Sequence, residues 1–138
     1  MTSAETLRNR VRERLAAQRA LVAELLRQRE QIQGSLFARY GVCGKPSCAC
    51  RTGRKHGPYY VLSTRSGGQG DFAYLDSSQA AQARNLVDSH RQFRAGMRRL
   101  KRVNTELVGL LRRYQAAMAR QGDRRLGLIR RADLARNS

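Results

Sequence analysis

Cys43, Cys48, Cys50 and His56 stand in the order Cys-x4-Cys-x-Cys-x5-His. Thiolate and imidazole are the donors that zinc takes into a tetrahedron, with sulfur at about 2.3 Å and nitrogen at about 2.0–2.1 Å. Gly44 and Pro46 let the chain turn back between the first two cysteines. Gly53 and Gly57 leave room for His56 to return. Lys45 adds positive charge that favours thiolate over thiol. A Cys3His set leaves no open coordination position, so such an ion is structural rather than catalytic. The competing reading is three free thiols. Free cysteines are usually buried, whereas these lie within eight residues of a polar, Gly-rich stretch. An iron–sulfur cluster would want a fourth thiolate, and a redox switch is the remaining alternative. For the fourth ligand, Asp71, His90 or a second chain could stand in for His56.

Nothing else in the chain has the pattern of a catalytic centre. There is no Ser-His-Asp set, no carboxylate pair in a Gly-rich cleft and no phosphate loop, and acidic residues are sparse. The expectation is a protein that is not an enzyme.

Gly34-Ser35-Leu36, Arg39-Tyr40, Cys43-Gly44-Lys45-Pro46-Ser47-Cys48-Ala49-Cys50 and His56-Gly57-Pro58-Tyr59-Tyr60 follow one another here. This order resembles a family of short bacterial and phage proteins whose shared region is a domain of unknown function. Its pattern is G-S-L-x-x-R-Y, C-G-K-x-x-C-x-C, H-G-P-Y, and the likeness covers roughly residues 34 to 76. The resemblance implies a metal site followed by a long helix. Members often occur near mobile-element genes, which implies a role connected with DNA.

Charge gives an independent pointer. Lys and Arg total 28 against 10 Asp and Glu, for a net charge of +18 in 138 residues. Such a field draws in polyanions, and each phosphate that a cation neutralises releases counterions. Nucleic acid is therefore the expected partner, DNA ahead of RNA, with an anionic membrane surface as competitor. The basic residues are 25 Arg and 3 Lys, a ratio that a GC-rich genome would also give. Residues 1 to 30 carry seven Arg and no unbroken apolar core, so no signal peptide is expected. No stretch reaches the roughly 20 apolar residues of a membrane span, and the expected location is cytoplasmic.

The elements around the cysteines can be read from period and punctuation. Residues 3 to 33 predict a helix, with Leu7, Val11, Leu15, Val22, Leu25, Leu26 and Ile32 as its apolar stripe. Thr2 and Glu5 have capping-box spacing, and Gly34 is the expected stop. Strands are expected at 35–40, 59–65 and 71–75, with a turn at 66–69. Most of the sheet's aromatics are expected to form its core, with Tyr59 or Tyr60 exposed. Asp76 to Gln79 is a second capping box. Residues 77–119 then carry Leu86, His90, Phe93, Met97, Leu100, Asn104, Leu107, Leu111, Tyr114 and Met118 in strict four-three alternation. That spacing is a coiled-coil seam, with His90, Met97, Asn104, Leu111 and Met118 at a and the others at d. Asn104 is expected to fix register from within the seam, and His90 to sit at its mouth. At about 1.5 Å per residue this helix is roughly 60 Å long. Gly122 is its expected end, and 123–138 a basic tail or short amphipathic helix.

The combined reading is an α+β fold, mostly α: a long antiparallel helical hairpin or coiled coil with a small zinc-stapled β-sheet head between its helices. The expected organisation is a coiled-coil helix at 1–34, a zinc-knuckle head at 35–76, a heptad helix at 77–121 and a basic tail at 122–138. Because the second helix outruns the first, a homodimer through the seam is expected. Phosphate contacts are expected from Arg39, Lys45, Arg51, Arg54, Lys55 and Arg65 in the head. On the second helix they are expected from Arg84, Arg91, Arg98, Arg99, Arg112 and Arg113. From Arg84 to Arg131 there are 14 basic residues against three acids, where a merely solvated helix face would mix its signs. The function these features suggest is zinc-dependent, non-enzymatic nucleic-acid binding, as an accessory to transposition, recombination or phage functions. A coiled-coil interaction adaptor and a metal- or redox-sensing regulator are the alternatives.

Overall fold

The computed structural model describes residues 2–27, 30–65, 70–128 and 135–136. In chain order these form α1 (Ala4–Arg27), β1 (Gly34–Gly41), a short 3-10 turn (Ala49–Arg51), β2 (His56–Thr64), β3 (Asp71–Leu75) and α2 (Ser77–Arg125). The fold class is α+β and mostly helical. The chain divides into two compact units, Met1–Leu25 with Gly96–Ser138, and Leu26–Ala95.

In the first unit, contacts run in antiparallel order between α1 and the later part of α2. Arg8 donates to the Tyr114 hydroxyl at 3.0 Å, Gln18 donates to Asn104 Oδ1 at 2.7 Å, and Arg14 pairs with Glu106 at 3.3 Å. The residues buried on this part of α2 are Gly96, Val103 and Ala117, seven or fourteen apart, with Leu100, Leu107, Leu110 and Tyr114 half-buried. The buried seam is thus offset from the expected one. It uses the d positions and their g neighbours, while Met97, Asn104, Leu111 and Met118 at a are exposed. The reason is size. Gly96 at g lets α1 approach closely, since a Cβ there would meet Leu25 Cδ2 at 2.6 Å. Asn104 is accordingly an exposed cross-helix acceptor rather than a buried register device.

The helix ends also differ from expectation. Ser3, not Thr2, caps α1, accepting the Thr6 N–H at 3.1 Å; Thr2 Oγ1 instead accepts from Arg113 at 3.2 Å. α1 closes by Arg27, well before Gly34. Gln28 and Arg29, within the expected helix, lie outside the described residues. Gly34 opens β1, where an added Cβ would strike the Ser63 carbonyl oxygen. α2 runs through Gly122 and stops at Gly127 (φ +67). There Leu128 N–H reaches the Asp123 carbonyl at 2.8 Å and Gly127 N–H the Arg124 carbonyl at 3.1 Å, the paired bonds of a Schellman stop. The second capping box is present: Gln79 N–H donates to Asp76 Oδ1 at 2.8 Å and Asp76 N–H to Gln79 Oε1 at 3.2 Å. The expected turn at 66–69 and the tail residues 129–134 fall outside the described residues.

The second unit holds an antiparallel sheet in the order β1-β2-β3. One face carries the aligned row Leu36, Leu62 and Ala73. Leu62 packs with Ala83 and Val87 of α2, flanked by Ile32, Leu36 and Leu75. The opposite face carries Phe37, Val61 and Tyr74 in one row, with Tyr59 and Phe72 beside it. Here the expectation of an aromatic core fails. Phe72, Tyr74 and Tyr40 are exposed and Tyr60 is half-buried, while Tyr59 is exposed as expected of one of that pair. One helix can cover only one face of a three-stranded sheet, and the aliphatic face takes it.

Two glycines of α2 separate packing from propensity. Gly96→Val should destabilise by about 1–3 kcal/mol through overpacking against Leu25. Gly109 has nothing within 4 Å of its Cβ position, so Gly109→Ala should stabilise by about 0.5–1 kcal/mol. Urea denaturation of both variants checks the pair.

Candidate metal centre

The site is built by the loop from β1 to β2 and by the first residue of β2. β1 and β2 hold the loop's ends together, with Gly41 opposite His56. The pairing is irregular between Arg39 and Gly41, so the strand slips where Gly57 and Pro58 intervene. Gly57 has φ +135, and a Cβ there would meet the Arg39 carbonyl oxygen at 2.7 Å and Tyr40 Cδ1 at 2.9 Å. Only glycine satisfies both the dihedral and the approach, and that crossing brings His56 back beside the cysteines. Within the loop, Cys48 N–H bonds to the Lys45 carbonyl at 3.2 Å, and the 3-10 turn follows. Gly53 N–H closes on the Ala49 carbonyl at 2.8 Å.

These turns bring the ligand atoms of Cys43, Cys48, Cys50 and His56 within 4.8 Å of one another. Cys43 Sγ lies 3.5 Å from Cys50 Sγ, and Cys48 Sγ lies 3.2 Å from His56 Nε2. Zinc bond lengths in a regular tetrahedron place sulfur–sulfur edges at about 3.8 Å and sulfur–nitrogen edges at about 3.6 Å. The two measured distances are opposite edges of such a figure and lie close to those values. All three cysteines are free, and 3.5 Å is far outside disulfide bonding. The four residues fit a metal ion and could hold one. His56 is the fourth member; Asp71 instead caps its own strand, accepting the Phe72 N–H at 2.9 Å, and His90 lines a pocket elsewhere in this unit.

Backbone dipoles are aimed at the sulfurs. The Lys45 N–H bonds to Cys43 and holds its thiol below the usual range. The Cys50 N–H does the same for Cys48, helped by Cys50, Cys43 and His56, and brings it down to about 6. Cys50 accepts the Cys43 N–H at 3.4 Å, but burial, at 2% exposed, pushes its thiol up. His56 is pushed up by hydrogen bonds to Cys43 and Cys48. Two sulfurs are therefore inclined to thiolate, while Cys50 and His56 are biased toward their protonated forms, whose protons a divalent cation would displace.

The basic residues expected to touch phosphate are all exposed. Lys45, Arg51, Arg54 and Lys55 share the loop or its margin with the ligand cluster, Arg39 lies within β1 paired with Tyr59, and Arg65 directly follows β2. Arg84 and Arg91 belong to the same unit, and Arg98, Arg99, Arg112 and Arg113 to the other. One grouping was not visible in the sequence. Arg65, His90, Arg91 and Arg94 line a pocket of about 270 Å³ with Ser35 and Ser63. The Arg91–Arg94 spacing is legible on a helix, but its meeting with Arg65 is tertiary. No helix among the described residues is long and apolar enough to cross a membrane.

The thiol order can be read chemically. In metal-free protein Cys48 should be alkylated first by iodoacetamide, its rate rising as pH climbs through about 6, because the reactive thiolate is the form above that value. Cys50 should react last. Peptide mass mapping of timed samples gives the order, and metal loading should protect all three.

No curated protein and no solved structure matches the chain. A family model described as a domain of unknown function (DUF6788) matches residues 6–85. That span contains the ligand cluster, all three strands and the start of α2, and the chain belongs to this family.

Proposed function

We propose that the protein is a non-enzymatic, zinc-binding nucleic-acid-binding protein, with Cys43, Cys48, Cys50 and His56 holding one structural zinc ion. The observation that carries the metal is the convergence of four ligand atoms within 4.8 Å. Zinc is favoured by the donor set, three thiolates and an imidazole. Structural zinc contributes on the order of 10 kcal/mol to folding in small domains, and the sheet has little else. Its helix-covered face buries one large side chain, Leu62, with Ala83 and Val87.

Binding to nucleic acid rests on charge. With 28 basic and 10 acidic residues, most arginines have no acid to neutralise them, and the twelve named for phosphate contact are exposed. DNA is the preferred ligand, in the setting the sequence resemblance implies, as an accessory to transposition, recombination or phage functions. α1 and α2 act as an antiparallel coiled-coil hairpin. Exposed Met97, Leu111 and Met118 favour a homodimer along that free flank of α2. The same flank is what the adaptor alternative would use.

Metal analysis of purified protein should find one zinc per chain. Cys50→Ser should abolish retention, and chelation should melt the sheet, seen as lost amide protection across 34–75. DNA affinity should fall steeply between 50 and 200 mM salt, by about 10³-fold or more for six phosphate contacts. Replacing Arg98, Arg99 and Arg112 by Ser should reduce the salt slope by about one per residue. If no DNA or RNA binds even at low salt, the adaptor reading stands in its place.

A further inference from the structure

We propose that the sheet face turned away from α2 is a stacking surface for single-stranded nucleic acid, with the arginine pocket beside it taking a backbone phosphate. This rests on the nucleic-acid reading above and narrows it to a strand state and a place.

The face carries Phe37, Tyr59, Phe72 and Tyr74, from all three strands. Phe72 and Tyr74 are 66% and 71% exposed. Central Val61 is only 1% exposed and lies directly between Phe37 and Tyr74. The outer rings therefore surround a packed floor. An apolar surface this open marks an interaction site. Its chemistry decides the partner. The positions that alternate onto this face are Ser35, Phe37, Arg39, Tyr59, Val61, Ser63, Phe72 and Tyr74, none of them acidic. Ser35 and Ser63 pair across the strands, and Phe72 pairs with Ser63. The same two serines line the pocket of Arg65, His90, Arg91 and Arg94. The pocket thus lies at the end of the sheet where Ser35 and Ser63 pair, between the strands and α2, and its lining holds guanidinium groups and no carboxylate; a strand stacked on the aromatic face would reach it around that end.

A nucleic-acid strand presents that alternation, with flat apolar bases on a phosphate chain. Stacking on aromatic side chains tolerates any base because each has a π-face. In a duplex those π-faces are already covered by neighbouring base pairs. A stacking surface must therefore prefer unpaired strands, whereas the exposed helix arginines respond to either.

Fluorescence anisotropy with full-length, zinc-loaded protein tests this, using a labelled oligothymidylate of about 12 nucleotides and a duplex at the same salt. Phe72→Leu and Tyr74→Leu keep apolar, strand-compatible side chains at exposed positions. Each should weaken oligothymidylate binding about 5- to 100-fold and leave duplex binding within about twofold. Tyr74→Trp should retain affinity, with its emission quenched on binding. Arg91→Ser combined with Arg94→Ser should lower the salt slope by about two. Unchanged single-strand affinity in both leucine variants, or unmoved tryptophan emission, overturns the stacking surface; duplex binding by the parent protein would still uphold the broader function. An unchanged salt slope overturns the pocket's part. Loss of duplex and single-strand binding together in the leucine variants also overturns the proposal. So does sedimentation showing a dimeric parent and monomeric leucine variants, which would assign the face to self-association. If the parent binds neither probe at low salt, both readings fall.

Discussion

Four donor atoms drawn into one corner of a loop are the constraint on which the sheet-bearing unit of this protein depends. Three sulfurs and an imidazole crowd together only if something offsets the repulsion of thiolates and the loss of chain entropy. Three backbone N–H groups contribute, each from a different residue and each aimed at a different sulfur. A bound cation would supply what dipoles cannot. Cys50, the most buried of the set, would then serve as both ligand and core.

The sheet that closes this loop is asymmetric, and the asymmetry follows from size. Three strands and one covering helix leave one side without a partner. The covered side is aliphatic and small. The other is aromatic, built around a single buried valine. Were those rings a hydrophobic core, a second layer would lie over them; among the described residues none does. Arg65, Arg91 and Arg94 gather at one end of the same sheet, and the proposed stacking surface rests on these two features together.

The helices answer a different physical demand. Gly96 and Ala117 leave room on α2 for the approach of α1, whose buried residues are the large Leu7 and Leu25. The larger apolar residues of the heptad, Met97, Leu111 and Met118, are left on the flank. Repulsion among so many arginines opposes compactness, and an exchange of counterions for phosphate would relieve it.

Much of this was legible in the sequence. Cys43, Cys48, Cys50 and His56 could be named from spacing because ligand chemistry restricts residue type, and glycine and proline restrict where a chain can turn. The three strands and the second capping box were legible because period two and an Asp-x-x-Gln pair are local signals. What only the tertiary structure decided was which apolar stripe is buried. Heptad spacing marks two neighbouring stripes on α2, and the choice between them depends on whether Gly96, Val103 and Ala117 meet another helix. The aromatics posed the same problem, since alternation sorts side chains into two faces without saying which face α2 will cover. Arg65 meets Arg91 and Arg94 for a reason of that kind. Their proximity is a property of packed elements, and no window of sequence short enough to carry a local signal contains all three.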